Sequence, residues 1–274
     1  MSTQDSGRIA FIGGGNMASA IIGGLVKQGL PAARVAVVEP WAEARQKLQQ
    51  QFGVRADEAA GAALADATLV VWAVKPQTFK DAAAAARPHV AQALHLSVAA
   101  GIRSGSIAQW LGTERIVRSM PNTPALVGQG MTALFARGAV SAEDKARVEE
   151  VIATTGESLW VEREEQLDAV TALSGSGPAY VFYFLEAMVQ AGGEMGLSAE
   201  QARRLAVGTF AGAAALAKAS SDPLELLRER VTSKGGTTYA ALTSMEQDAV
   251  KARFIKALHA ASRRAEELGD EFGR

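Results

Sequence analysis

Arg8-Ile9-Ala10-Phe11-Ile12-Gly13-Gly14-Gly15-Asn16-Met17-Ala18 decides the fold. A short apolar run ends in glycines, and an amphipathic stretch follows from about Ala18 to Gln28. The string is G-x-G-x-x-A placed after a strand and opening a helix, the setting in which it has mechanical meaning. Gly13 makes the tight turn, Gly15 lets the backbone approach a pyrophosphate, and the small Ala18 permits close helix–strand packing. The reading is a dinucleotide-binding unit.

Working outward, Arg34-Val35-Ala36-Val37-Val38 reads as a second buried strand ending at Glu39. An acidic residue there accepts the ribose hydroxyls of NAD and repels the extra phosphate of NADP. The plainer reading is a polar residue at a strand end, and Arg45 nearby offers a partner for a 2′-phosphate. The sequence leans towards NADH, with NADPH still open. Further apolar strands are expected at Thr68–Val74, Leu94–Val98, Arg115–Met120, Met131–Ala136 and Ser158–Glu162. Helix-like segments lie between them at Ala42–Phe52, Phe79–Arg87 and Ser106–Leu111. Near-continuous apolar strands separated by helices predict a parallel sheet covered on both faces.

Ligands of such a sheet bind outside the carboxyl ends of its strands. Three loops fall there: Ala73-Val74-Lys75-Pro76-Gln77, the Ala99-Ala100-Gly101 turn after Val98, and Met120-Pro121-Asn122-Thr123-Pro124. Singly, Lys75 reads equally as a solvated surface lysine and Asn122 as the holder of a turn. Together on one sheet edge they form a cofactor cleft.

After about residue 164 the strand signals stop. The rest reads helical: Gln166–Ala172, Ala179–Met195, Ala199–Lys218, Leu224–Arg230, Tyr239–Met245 and Ala249–Leu268. In Ala202–Ala219, with Gly208 and Gly212, apolar residues cover too much of the circumference for one buried face. A helical unit that dimerises accounts for this. The expected division is residues 1–163, an N-terminal Rossmann-like domain, and 164–274, an all-α dimerisation and substrate-binding domain. Ser174-Gly175-Ser176-Gly177-Pro178-Ala179 reads either as a ligand or partner contact or as a helix start with Pro178 in its first turn.

A second chemical signal is Thr232-Ser233-Lys234-Gly235-Gly236-Thr237-Thr238, just before a helix at Tyr239. Backbone N–H groups and hydroxyls at a helix start make an anion cradle, which suits a small carboxylate or phosphate. The alternative is an N-cap with glycines for the preceding turn.

Composition removes other chemistries. The chain has 274 residues, a net charge of −1, 48% hydrophobic residues and no cysteine. Disulfides, thiolate nucleophiles and Cys-ligated metals are excluded. His89, His95 and His259 are scattered without ligand spacing, so no metal site is expected. His95 lies in an apolar run and reads as a core residue. Nothing suggests nucleic acid, no apolar run approaches the roughly 20 residues that span a bilayer, and Met1–Ser6 lacks a signal-peptide core. A cytoplasmic location is expected. The chemistry is then borrowed from a cofactor.

Five segments in order resemble those of pyrroline-5-carboxylate reductases: Phe11–Met17, Val74–Gln77, Met120–Pro124, Ser174–Tyr180 and Val231–Thr238, the last running on to Ala241-Leu242 and Met245-Glu246. The resemblance covers essentially the whole chain. It implies reduction of L-Δ1-pyrroline-5-carboxylate to L-proline with NADPH or NADH, and a helical domain that interlocks in a dimer. Such dimers often assemble further into a decamer. It places the substrate site at the dimer interface, with the hydroxyl-rich loop facing the partner's nicotinamide. Ser233 and the backbone of Gly235, Gly236 and Thr237 would hold the substrate carboxylate, and the Thr238 hydroxyl the ring nitrogen. The cofactor would lie along Ile12, Gly13, Gly14, Gly15, Asn16 and Met17, with Glu39, Ala73, Val74, Lys75, Pro76, Val98, Ala99, Ala100 and Asn122. Two departures stand out: Glu39-Pro40-Trp41 replaces the Ser- or Arg-bearing segment expected of NADPH users, and Ala60 aligns where many relatives carry asparagine. Two other readings of the same residues are a dehydrogenase of the hydroxyisobutyrate or 6-phosphogluconate type, with Lys234 as its lysine, and a non-catalytic dinucleotide-binding regulator.

Overall fold

The structure is a computed structural model that describes residues 7–273; the polar N-terminal segment Met1–Ser6 lies outside them. The chain divides into two compact units, residues 1–176 with 261–274, and residues 177–260.

The first unit is built on an eight-stranded sheet. In chain order it runs β1 (Arg8–Ile12), α1 (Asn16–Lys27), β2 (Val35–Val38), α2 (Ala42–Phe52), β3 (Ala56–Asp57), β4 (Ala67–Trp72), α3 (Pro76–Val90), β5 (Leu94–Ser97), α4 (Ser104–Leu111), β6 (Ile116–Met120), β7 (Gly130–Ala136), α5 (Ala142–Ile152), β8 (Gly156–Trp160) and α6 (Gln166–Val170), which continues into a π-helical turn at Thr171–Gly175. The strand order is β3-β2-β1-β4-β5-β6-β7-β8. The order reverses between β1 and β4, so the loops after these two strands border one crevice.

Alternation along the strands feeds two cores, one on each face. Phe11, Val37, Val71 and Leu96 pack on one side; Ala10, Ile12, Val70 and Trp72 pack on the other with Phe79 of α3. This two-sided burial is why the strands read as continuous apolar runs. The expectation of a parallel sheet needs one correction: β6 and β7 pair antiparallel, Val117 opposite Ala136, while β7 and β8 return to parallel. The physical reason lies in the link. Residues 121–129 hold only a 3-10 turn at Thr123–Val127, and a parallel crossover needs a dozen residues or more.

α5 is an addition to the sequence reading. Ser141 caps it, accepting from the Asp144 amide at 3.1 Å while Asp144 accepts from the Ser141 amide at 3.2 Å, a reciprocal capping box.

The second unit is helical: α7 (Gly177–Glu194), α8 (Ala199–Ala219), α9 (Leu224–Arg230), α10 (Thr237–Gln247) and the start of α11 (Val250–Phe272). α8 also opens with a capping box, between Ser198 and Gln201. α7 packs along α8, and a Cβ on Gly192 would lie 2.8 Å from the Ala202 Cβ, so the backbones approach closely. Tyr180 and Phe184 each meet Phe254 edge-on, at 5.7 and 5.6 Å between ring centres. Yet only Gly192, Ala202 and Ala206 are buried among residues 177–260. Phe182, Tyr183, Leu205, Leu216 and Leu224 are all more than half exposed. A unit with so little interior and so much open apolar surface is an association surface. No helix of the described residues is long and apolar enough to cross a membrane.

Candidate functional site

Each unit carries a patch of predicted site residues. In the first, Ile12 ends β1 and the chain turns at Gly13, whose φ is +97°. Its N–H donates to the Val38 carbonyl at 2.8 Å, and a Cβ there would lie 2.5 Å from the Ala73 carbonyl oxygen. Only glycine satisfies both conditions. Gly15 is different. Its φ is an ordinary −70°, it is exposed, and a Cβ would meet nothing within 4 Å. The protein itself does not require glycine there, so the missing side chain leaves room for something outside it. Gly15 is also the N-cap of α1 with no side chain capping it, so first-turn N–H groups around Asn16 and Met17 are left for an anion. These features fit a pyrophosphate-bearing cofactor.

Glu39 follows β2 and is 6% exposed. Its Oε2 accepts the Gly14 N–H at 2.7 Å and its Oε1 the Trp41 N–H at 2.9 Å. Arg45 donates to the carbonyls of Glu39 at 2.9 Å and Pro40 at 2.6 Å and pairs with Glu58 at 3.4 Å. Ala60 packs against the second core.

The remaining loops of the cleft also fall beside the switch point. Ala73 donates its N–H to the Ile12 carbonyl at 2.8 Å, and Val74 reaches the Gly13 position. Lys75 is exposed at the N-cap of α3, with Pro76 in its first turn. Val98 continues the sheet through its bond to the Trp72 carbonyl at 3.0 Å. Ala99 donates to Ser97 Oγ at 3.3 Å, and Ala100 follows it. Asn122 is occupied within the unit: its Oδ1 accepts the Met131 N–H at 2.9 Å, and its Nδ2 donates to Ser174 Oγ at 3.2 Å. It ties the start of β7 to the π-helical turn.

In the second unit the hydroxyl-rich loop is a tight turn. The Gly236 N–H donates to the Ser233 carbonyl at 3.0 Å, with Gly235 at the left-handed corner, φ +74°. A Cβ on Gly236 would sit 2.7 Å from Ser233 Oγ, so that hydroxyl lies directly over the glycine. Gly236 is the N-cap of α10 and has no side-chain cap. The amides of Thr237 and Thr238 therefore begin a helix whose first donors are open, beside the Ser233 and Thr238 hydroxyls.

One group escaped the sequence reading. Glu164 accepts from the Ser104 N–H and Ser104 Oγ, both at 2.6 Å, and from Arg118 at 2.6 Å. Arg103 pairs with Asp168 at 2.7 Å. Burial raises the Glu164 carboxyl, and its donors from Ser104 and Arg118 more than reverse this, leaving it below the usual carboxylate range. Burial lowers the Arg118 guanidinium against the opposing pull of Glu164. The network clamps the start of α4, directly after the Ala99–Gly101 loop. The signal was a lone arginine in the apolar strand Ile116–Met120.

The first unit is thus a Rossmann-type dinucleotide fold with an intact glycine turn, in one chain with an all-helical association unit. Comparison with known proteins is specific. Residues 164–268 match the family described as pyrroline-5-carboxylate reductase dimerisation, and residues 8–101 match NADP oxidoreductase, coenzyme F420-dependent. The pyrroline-5-carboxylate reductase of Pseudomonas aeruginosa is 46% identical over 97% of this chain and 98% of its own length. A solved pyrroline-5-carboxylate reductase from Coxiella burnetii superposes with a TM-score of 0.90 at 37% identity, covering 96% of this chain and 99% of the other. The Plasmodium falciparum pyrroline carboxylate reductase, solved with NADP bound, gives 0.86 at 28% identity over 96% and 98%. The chain belongs to the pyrroline-5-carboxylate reductase family.

Proposed function

We propose that the chain reduces L-Δ1-pyrroline-5-carboxylate to L-proline, the final step of proline biosynthesis, using NADPH or NADH. The observation that carries this is the match to the Pseudomonas aeruginosa reductase along nearly the full length of both chains. The residues suit the chemistry. The substrate is a cyclic imine with one carboxylate; its iminium form is already electrophilic, so neither a metal nor a protein nucleophile is required. A bound reduced nicotinamide supplies the hydride to the imine carbon. The protein's part is to position the reacting carbons, which contributes several kcal/mol on general grounds, roughly up to 7–11.

Gly13 to Met17 hold the pyrophosphate at the start of α1. Glu39 addresses the adenosine ribose, and Ala73–Pro76, Val98–Ala100 and Asn122 line the cofactor cleft. The Ser233 hydroxyl and the amides of Gly235, Gly236 and Thr237 hold the substrate carboxylate. The Thr238 hydroxyl donates to the lone pair of the neutral imine nitrogen and relays to it a proton drawn from solvent, which yields the electrophilic iminium. Residues 1–163 serve the cofactor; residues 164–274 serve dimerisation and the substrate, with the hydroxyl loop of one subunit facing its partner's nicotinamide. The near-absence of buried residues in 177–260 supports a dimer, and the exposed apolar residues on α8 leave surface for assembly into a decamer. A cytoplasmic location accords with a chain free of cysteine.

The test is loss of reduced-nicotinamide absorbance on adding pyrroline-5-carboxylate, run in parallel with NADPH and NADH. Turnover with either is expected. A folded protein that binds dinucleotide but turns over no cyclic imine would overturn the proposal and favour a regulator.

A further inference from the structure

We infer that Glu39 sets the dinucleotide selectivity of this chain in favour of NADH, as a charge that the fold itself locks in place. The inference rests on the dinucleotide reading proposed above and adds which dinucleotide the site takes.

Three observations carry it. First, the carboxylate cannot swing away. Both oxygens are bonded to backbone N–H groups, Gly14 at 2.7 Å and Trp41 at 2.9 Å, and the side chain is buried. One of those amides belongs to the glycine turn, so the charge sits beside the place where a pyrophosphate enters. A carboxylate offers about four lone-pair sites. Two are used here, and the others remain to accept ribose hydroxyls. A 2′-phosphate brings only acceptors and a further charge of about −1.5 to −2, comparable to other phosphate monoesters.

Second, the nearby cation is already committed. Arg45 spends Nη1 on the carbonyls of Glu39 and Pro40 and pairs with Glu58. It braces the segment that carries Glu39 instead of reaching outward to a phosphate. Third, the backbone after β2 offers an anion only the first-turn amides of α2, and Glu43 stands in that same turn. Pro40 has no N–H, and the Trp41 N–H is taken by Glu39 itself. Of the features that would accommodate a 2′-phosphate, a movable neighbour and an available cation are closed off, and the open amides of α2 come with the negative charge of Glu43 beside them.

Glu39 therefore also acts as a strut of the glycine turn, so selectivity and turn geometry share one side chain. The experiment is equilibrium titration of the purified protein with NADH and with NADPH, without substrate, followed by nicotinamide fluorescence. The wild-type chain is expected to bind NADH at least about tenfold more tightly, a ratio modest for like charges at close range. Glu39→Gln should narrow that ratio at least about fivefold, mainly by tightening NADPH. The ratio compares two ligands on one protein, so a general loosening of the turn cancels. Arg45→Ala should leave the ratio within about twofold, since Arg45 does not read the phosphate. Equal or tighter NADPH binding by the wild type, or a loss confined to NADPH in Arg45→Ala, would overturn the inference. Turnover of the cyclic imine with NADPH alone would sink the selectivity and leave the reductase reading intact. NADH-selective binding without turnover would do the reverse.

Discussion

Replacing Gly15 and Gly13 by alanine should give opposite phenotypes, although the two residues are neighbours but one in the same turn. At Gly15 the backbone, φ −70° and ψ −168°, is one that alanine adopts freely, and the new methyl meets no protein atom within 4 Å. Stiffening the unfolded chain then stabilises the protein by about 0.4–1 kcal/mol, a rise of about 1–3 °C in Tm for a chain of this size. The same methyl occupies the space reserved for the pyrophosphate, and dinucleotide affinity should fall at least about tenfold. At Gly13 the left-handed backbone costs an alanine about 1–2 kcal/mol. The methyl would also lie 2.5 Å from the Ala73 carbonyl oxygen, a backbone atom that cannot turn aside. A total of about 2–4 kcal/mol follows, typical of forced backbone strain, or about 5–10 °C in Tm. The assays are thermal unfolding at fixed protein concentration and fluorescence titration with reduced dinucleotide. A Gly15→Ala chain that binds dinucleotide like the wild type would refute the close-approach reasoning. A Gly13→Ala chain with unchanged Tm would refute the account of the turn.

Thr238→Ala should lower kcat by about a hundredfold, the scale of a lost proton-transfer partner, with dinucleotide Kd unchanged within about twofold; steady-state kinetics and titration check both, and wild-type turnover would remove Thr238 from the mechanism. Glu164→Ala should cost about 3–5 kcal/mol in denaturant unfolding, because Arg118 would be left buried without its counter-ion; a cost under about 1 kcal/mol would show the network to be dispensable. His95 makes stability depend on pH. Burial first, and the Arg115 charge second, lower its pKa to about 4, and it accepts the Trp72 Nε1–H at 3.1 Å as a neutral ring. The unfolded chain takes up this proton near pH 6.5 and the native chain only near 4, so the contribution is intact above about 6.5 and lost as pH falls towards 4. The loss reaches about 3 kcal/mol. Unfolding midpoints between pH 7.5 and 4 should show it, and His95→Gln should flatten that part of the curve; identical slopes would place the acid sensitivity elsewhere.

What was legible in the sequence was what local geometry dictates. The glycine turn could be placed because its spacing and its position between an apolar run and an amphipathic run have one mechanical meaning. The hydroxyl loop announced a helix start for the same reason, and α10 does begin there, two residues before the expected Tyr239. β3 escaped because two residues are too few to display alternation. α5 escaped because its buried apolar residues, Val148, Val151 and Ile152, cluster at one end, and because its capping box uses Asp144 where the motif usually has Glu or Gln. The reversal of β7 was readable only through the shortness of the β6–β7 link, not through any property of the strands. Pairings across the fold left no trace along the chain. Nothing in Ser104, Arg118 and Glu164 read singly says that they meet, and Glu39 gave no sign that the backbone would claim both its oxygens.

The last turns of α11 belong to the first unit. Leu268 and Phe272 lie over Gly101, and Ser106 Oγ donates to the Gly273 carbonyl at 2.7 Å. During synthesis, residues 1–176 emerge before the intervening segment 177–260 has been made. At ribosomal rates of about 5–20 residues per second, the wait is on the order of ten seconds. Throughout that interval the nascent sheet must keep the site of Phe272 uncovered, and the loop after β5 lacks its final neighbour. The packing around the loop after β5 is therefore completed only after the helices of residues 177–260 have been made.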